Sequence, residues 1–191
     1  VSYPGLANDL NAGDTILLNN GLLTFEVEET TDTDVICRVV VGGETSNNKS
    51  MSFPNKVLNQ VYLSEQDKAD ILFGIQNDVD YIACSFVSRR QDLEDVQAFL
   101  DEHGASDIGL IAKIENQAGI DNIEDICQAC TGVMIGRGDL GVEIPLEQLP
   151  AIQKQLSRFM EFGEGKATMV NNGDWLLNLN YIDFIRDIGG C

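Results

Sequence analysis

The chain has 191 residues, enough for one large domain or two small ones, with ordinary globular proportions of 43% hydrophobic and 23% charged residues. Its 31 acidic and 12 basic residues give a net charge of −19, which argues against nucleic acid or an anionic membrane as partner, because either needs a basic face. No apolar run approaches the roughly 18 residues that span a bilayer, and Val1-Ser2-Tyr3-Pro4-Gly5 lacks the basic and apolar regions of a signal peptide.

The first 55 or so residues read as β structure. Thr15-Ile16-Leu17-Leu18 is a short apolar run, and Asn19-Asn20-Gly21 is a turn signal because Asn and Gly tolerate positive φ. Leu22 to Glu29 alternates, with Leu23, Phe25 and Val27 set against Thr24, Glu26 and Glu28. Thr30 to Asp34 is a polar turn, Val35 to Val41 a β-branched strand, and Gly42-Gly43 a further turn. Short strands joined by tight turns predict a small barrel or sandwich.

The pattern changes after Pro54. Ser64-Glu65-Gln66-Asp67 has the form of a helix N-terminus, a Ser cap with an acid three residues on, and Ile71, Leu72 and Ile75 supply a helical face. Val79 to Val87 is a near-continuous apolar run, as expected of a strand buried on both sides. Leu93, Val96, Phe99 and Leu100 mark a helix ending near Gly104, and Ile108 to Ile114 a second buried strand. Ile123, Ile126 and Cys130 mark another helix, Gly132 to Gly136 a third strand, and Glu147 to Phe162 a further helix with Pro150 in its first turn. Residues 64–162 thus alternate helix and strand, the signature of parallel βα units. Three such strands cannot close a barrel; they are expected to be a slice of one.

The five cysteines (37, 84, 127, 130 and 191) are scattered, which fits reduced thiols in a cytoplasmic protein. Cys127 and Cys130 form a C-x-x-C, but His103 is the only histidine and a structural zinc takes about four ligands. The plainer expectation is a helix with Ile126 and Cys130 on its buried side.

In parallel α/β architectures function gathers at the C-terminal strand ends. Here those ends read Ser85-Phe86, Lys113-Ile114-Glu115-Asn116 and Arg137-Gly138-Asp139. Alternation places Lys113 and Glu115 on one side of their strand, with Asp139 at the end of the next. Two carboxylates so placed suit a hard divalent cation such as Mg²⁺, and a lysine beside them suits a phosphoryl group or an enolate. The same spacing also allows a simple Lys113–Glu115 ion pair, with Asp139 capping the following turn.

Ile111-Ala-Lys-Ile-Glu-Asn-Gln-Ala-Gly119 and Met134-Ile-Gly-Arg-Gly-Asp-Leu-Gly-Val-Glu-Ile-Pro145 resemble two successive motifs of the pyruvate kinases. Ile152-Gln-Lys-Gln155 follows at the family's spacing, and residues 42–50, 67–70 and 73–87 are also similar in order. The resemblance runs from about Val1 to Leu156. It implies a small β-barrel lid domain over 1–55 and units four to six of a (β/α)₈ barrel over 56–156, hence an α/β fold with a partial barrel.

It further implies transfer of a phosphoryl group from phosphoenolpyruvate to ADP, giving pyruvate and ATP in glycolysis. Glu115 and Asp139 would hold Mg²⁺ or Mn²⁺, and Lys113 would assist the transfer and touch the substrate. The turn Gly136-Arg137-Gly138 would hold the substrate carboxylate through its amides. Ser85 and Phe86 would line the pocket, and Lys49 would lie on the nucleotide side, although it also reads as an ordinary solvated loop lysine. The family uses K⁺ and assembles as a homotetramer, but the K⁺ ligands and most of the assembly regions are not expected in this chain.

Since barrel strands one to three are absent from the sequence and it begins without methionine, the chain reads as a fragment with little activity of its own. Two alternatives are a non-catalytic metal-binding remnant and another barrel enzyme of phosphoenolpyruvate or pyruvate chemistry. From about Ser157 the resemblance is expected to stop, and residues 162–169 and 172–175 are similar to a short stretch of extracellular sugar-binding proteins. Smaller departures are Asn19-Asn20, where the family often has acids, and Gly136, where alanine is common.

Overall fold

The computed structural model describes residues 1–54, 56–144, 154, 156–158 and 161–176. The chain divides into two compact units, Val1–Ile152 and Gln153–Cys191.

The first unit opens with a short helix α1 (Leu6–Asp9) and four strands, β1 (Thr15–Leu18), β2 (Leu23–Thr30), β3 (Val35–Val41) and β4 (Met51–Ser52). They form one antiparallel sheet in the order β3-β2-β1-β4. The β1–β2 turn contains Asn19, Asn20 and Gly21, with φ of 54°, 56° and 79°. That run of positive φ is the geometry for which Asn and Gly were singled out. Thr31 Oγ1 accepts from the amides of Thr33 and Asp34, closing the β2–β3 turn. Leu6, Leu10, Ile16 and Val27 form the core beneath this sheet, flanked by Tyr3, Phe25 and Phe53.

The sheet is open rather than closed on itself: β3 and β4 are its edges, and β4 pairs through only two residues. No turn forms at Gly42-Gly43; the chain runs irregularly from there to Ser50. β4 had no signal in the sequence because a two-residue strand shows no periodicity.

Helix α2 (Glu65–Gln76) starts at a complete capping box: Ser64 Oγ accepts from the Asp67 amide, and the Asp67 carboxylate accepts from the Ser64 amide. Three parallel strands follow, β5 (Tyr81–Cys84), β6 (Gly109–Ile114) and β7 (Gly132–Ile135), in the order β5-β6-β7. Between them lie α3 (Arg90–Glu102), α4 (Gln117–Asp121) and α5 (Ile123–Cys127), and α6 (Arg137–Glu143) comes after β7. α3 packs against β6 and α5. Helix α4 was not anticipated; Asn116 starts it by accepting from the Gly119 amide.

Two expectations about burial need correction. The strand within Val79–Val87 spans only four residues and is not buried on both sides, since Tyr81 is 59% exposed and Ala83 is also exposed. Register explains this. Cys84, Leu110, Ala112 and Ile114 lie on the helix-covered face and are buried, whereas Tyr81, Ala83, Lys113 and Met134 share the other, uncovered face. Secondly, α5 ends at Cys127, so Cys130 is not on its buried side but follows the helix, partly buried.

Of the helix expected over 147–162, Lys154 and Leu156–Arg158 are helical. Pro150, Gln153 and Gln155 lie outside the described residues. Phe162 is not helical; it forms a bridge with Ala167. In the same unit Lys166 pairs with Glu161, and a short helix α7 spans Asn172–Leu176.

Candidate active site at the C-terminal strand ends

Parallel pairing carries the register past the last strand residues: Cys84 lies beside Ala112, and Ile114 beside Ile135. One step on, Ser85 comes beside Lys113; after Ile114, Glu115 comes beside Gly136. Lys113 Nζ sits 2.7 Å from Glu115 Oε1 and donates to Ser85 Oγ at 3.2 Å. Glu115 Oε2 accepts from the Phe86 amide at 2.9 Å. The Glu115 side chain is 2% exposed, against 24% for Lys113. Burial of so short a pair costs desolvation, which the amide and hydroxyl contacts offset.

The turn after β5 is held from several sides. Phe86 adopts φ of 53°, a left-handed conformation that costs a bulky residue about 1–3 kcal/mol. Its amide is the one Glu115 captures. Tyr62 donates its hydroxyl to the Ser85 carbonyl at 2.7 Å, and burial pushes that phenol's pKa well up, with nearby Cys84 and carboxylates adding to the shift. Asn116 donates to Ser88 Oγ and Asn122 donates to the Ser88 carbonyl, tying the turn to the start of α4 and α5. Tyr62 and Asn122 were missed by sequence reasoning: one is in a loop without pattern, the other joins two short helices.

Gly136 packs against Glu115 so closely that a Cβ there would lie 2.6 Å from Glu115 Cγ and 2.7 Å from Oε1. The Gly136 amide donates to the Ile114 carbonyl at 3.0 Å, which fixes the backbone at that approach. Arg137, Gly138 and Asp139 form the first turn of α6, where amides find no acceptor within the helix. All three are exposed, and Asp139 makes no side-chain hydrogen bond or ion pair among the described residues. It therefore does not cap α6, and the Lys113–Glu115 ion pair forms without it.

Lys49 lies in the exposed segment between β3 and β4. It lines a cleft of about 980 Å³ that is also bounded by Tyr62, Ser85, Phe86 and Arg89. The structure thus brings Ser85, Phe86, Lys113, Glu115 and Gly136 into one contact set and puts Lys49 in the cleft beside two of them. Glu115 and Asp139 are carboxylates at the ends of neighbouring strands, and among the described residues there is no group of three or more His, Cys, Asp or Glu that could hold a metal ion. Mg²⁺ is commonly held by one or two carboxylates, with water and substrate oxygens completing its shell.

A family model described as pyruvate kinase, barrel domain, matches residues 1–171. The chain belongs to the pyruvate kinase family. It is 43% identical over 156 residues to pyruvate kinase of Clostridium perfringens, covering 82% of this chain and 33% of that protein. It is 44% identical over 158 residues to the pyruvate kinases of Bacillus licheniformis and Geobacillus stearothermophilus, covering 82% of this chain and 27% of each of those proteins. The chain therefore spans a third or less of the length of these pyruvate kinases. The family match extends to residue 171, past Ser157, where the resemblance was expected to stop. Among the described residues no helix is long and apolar enough to cross a membrane.

Proposed function

We propose that this chain carries the cation- and lysine-bearing part of a pyruvate kinase active site, acting in glycolysis on phosphoenolpyruvate and ADP. The observation that carries the reading is the contact set at the end of β6. A lysine and a buried carboxylate project from the central parallel strand, with Ser85 on one side and Gly136 on the other. Family membership supports assigning that set to phosphoryl transfer.

In this reading residues 1–55 are the lid domain and 56–156 are units four to six of a (β/α)₈ barrel, with the barrel-domain match continuing to residue 171. A parallel sheet covered by helices on one face only, with Lys113 on the other, supports a slice of barrel wall. Glu115 and Asp139 would hold Mg²⁺ or Mn²⁺, which supplies positive charge against the phosphate oxygens when bound. Lys113 sets its ammonium against the moving phosphoryl group as the bond from phosphorus to the enol oxygen breaks and the bond to ADP forms. It then stabilises the enolate, which takes a proton from solvent or a relay. First-turn amides around Gly138, beside Gly136 and Arg137, hold the substrate carboxylate, Ser85 and Phe86 bound the pocket, and Lys49 reaches toward the nucleotide. A cytoplasmic setting is carried over from the family as part of the same proposal, while K⁺ and homotetrameric assembly are assigned to the full-length enzyme and not to this chain.

The test is a coupled assay of pyruvate formation from phosphoenolpyruvate and ADP with Mg²⁺ and K⁺. It is run on the 191-residue chain and on the Clostridium perfringens enzyme with residues 1–156 of this chain in the matching place. The exchanged enzyme should turn over and lose about 10²-fold or more on Lys113→Ala. Turnover indifferent to that substitution would overturn the role given to Lys113. Cation binding by the 191-residue chain without turnover would leave it the binding part of the site alone.

A further inference from the structure

We propose that Tyr62 is a positioning residue for the Lys113–Glu115 pair: its hydroxyl holds the Ser85–Phe86 peptide in the orientation that turns the Phe86 amide to Glu115. The Ser85 carbonyl and the Phe86 N–H belong to one planar peptide unit and point in opposite directions. Tyr62 donates to the carbonyl at 2.7 Å, and Glu115 Oε2 accepts from the N–H at 2.9 Å. The other carboxylate oxygen, Oε1, lies 2.7 Å from Lys113 Nζ. A single line of contacts thus runs from the phenol through a peptide and a carboxylate to the ammonium, and each bond polarises the next.

The peptide needs holding. Phe86 sits at φ of 53° and is 45% exposed, so little packing enforces its left-handed backbone. Turning the Ser85–Phe86 peptide over would return Phe86 to negative φ and swing its amide away from Glu115. The Val87 amide donates to the Lys113 carbonyl at 3.2 Å, which anchors the far side of Phe86 but leaves this peptide free to turn. Tyr62 is itself fixed from both directions along the chain. Before it, Asp9 accepts from the amide and the side chain of Asn59, each at 2.8 Å; after it, Ser64 caps α2. Burial raises the phenol's pKa, so the hydroxyl keeps its proton and remains a donor across the neutral range. The contacts stand on geometry alone; that they serve phosphoryl transfer rests on the reading proposed above.

The test is NMR of the 191-residue chain labelled with ¹³C at serine carbonyls and ¹⁵N at phenylalanine, which selects the two Ser–Phe peptides, 52–53 and 85–86. Tyr62→Phe keeps the ring and removes the hydroxyl. In this variant the Ser85 carbonyl carbon and the Phe86 amide should both move upfield. Exchange of the Phe86 amide with solvent should quicken by roughly threefold to tenfold, the factor expected for losing one neutral hydrogen bond. Phe53, packed against the core of the antiparallel sheet, should keep its signal. In a Glu115→Ala background Tyr62→Phe should change Phe86 exchange by less than about twofold, because the amide has already lost its acceptor. If Glu115→Ala fails to fold, Glu115→Gln serves, and there the Tyr62→Phe effect should be smaller than in the unaltered chain. Phe86 unmoved by Tyr62→Phe, moved together with Phe53, or moved equally in both backgrounds overturns the proposal. Mg²⁺ binding, measured separately by calorimetry, keeps the two readings apart. Cation bound while Phe86 ignores Tyr62→Phe contradicts the role of Tyr62 and leaves the cation site standing. Phe86 released by Tyr62→Phe in a chain that binds no cation supports that role and overturns the cation site.

Discussion

The two sheets of the first unit use their strand ends differently. In the antiparallel sheet successive strands reverse, so its turns fall at both ends, and Asn19-Asn20-Gly21 and Thr31–Asp34 close hairpins without gathering any chemistry. In the parallel sheet all three C-terminal ends share one edge, and residues from three separate turns meet there: Ser85 and Phe86, Lys113 and Glu115, and Gly136. Direction of pairing alone decides whether distant residues converge. The antiparallel part is a small layer over Leu6, Leu10, Ile16 and Val27, and the parallel part is a platform for charged groups.

The largest expected effect tests whether the two parts are packed separately. Leu100 of α3 is fully buried, so Leu100→Ala should cost about 2–5 kcal/mol in urea unfolding. Hydrogen exchange should then show lost protection in β5, β6 and β7 while β1 and β2 keep theirs. Equal loss in both sheets would mean that they share one core and would break the comparison.

A smaller effect lies at the entry to the parallel part. Ser64→Ala removes one side of the capping box and should lower stability by about 1 kcal/mol, read from the same urea transition. An unchanged midpoint would mean that α2 is held by packing alone. That would be surprising in a helix that buries only Ile71 and leaves Phe73 67% exposed.

The smallest effects come from pH, and the two parts should respond at opposite ends of the scale. Burial raises Asp14 in the antiparallel part, but Lys56 at 2.8 Å and the Asn11 amide outweigh it, leaving a carboxyl below its ordinary range. A depressed carboxyl stabilises the fold above its unfolded pKa, so this contribution should be lost as pH falls below about 3.8. In the parallel part burial first, then the neighbouring Cys130, pushes Cys84 and Cys127 up to about 11. There the folded state binds more protons than the unfolded one, so stability should fall as pH rises from about 9 to about 11. Far-UV melts across both ranges measure this, and a rise in melting temperature above pH 9 would contradict the thiol assignment.

Periodicity made most of the elements legible. β3 and β7 and helices α2 and α3 begin or end within a residue or two of the apolar and capping signals. What periodicity could not show was coverage. The run Val79–Val87 has the apolar content of a doubly buried strand, but burial depends on what packs against each face, and only one face of β5 is covered. Lys113 and Glu115 were legible as partners because alternation placed them together. The Phe86 backbone conformation and the close approach of Gly136 to Glu115 were not, since both arise only after three loops are brought to one edge.

The central claim is that Glu115 and Asp139 form a cation site at that edge, and Mn²⁺ binding followed by electron paramagnetic resonance tests it most directly. The 191-residue chain should bind one Mn²⁺ that Mg²⁺ displaces. Glu115→Gln and Asp139→Asn should each weaken binding by about tenfold or more, the loss expected when one of two charged donors becomes neutral. Binding unaffected by either substitution, or affected by Glu115→Gln alone, would contradict the pairing of the two carboxylates.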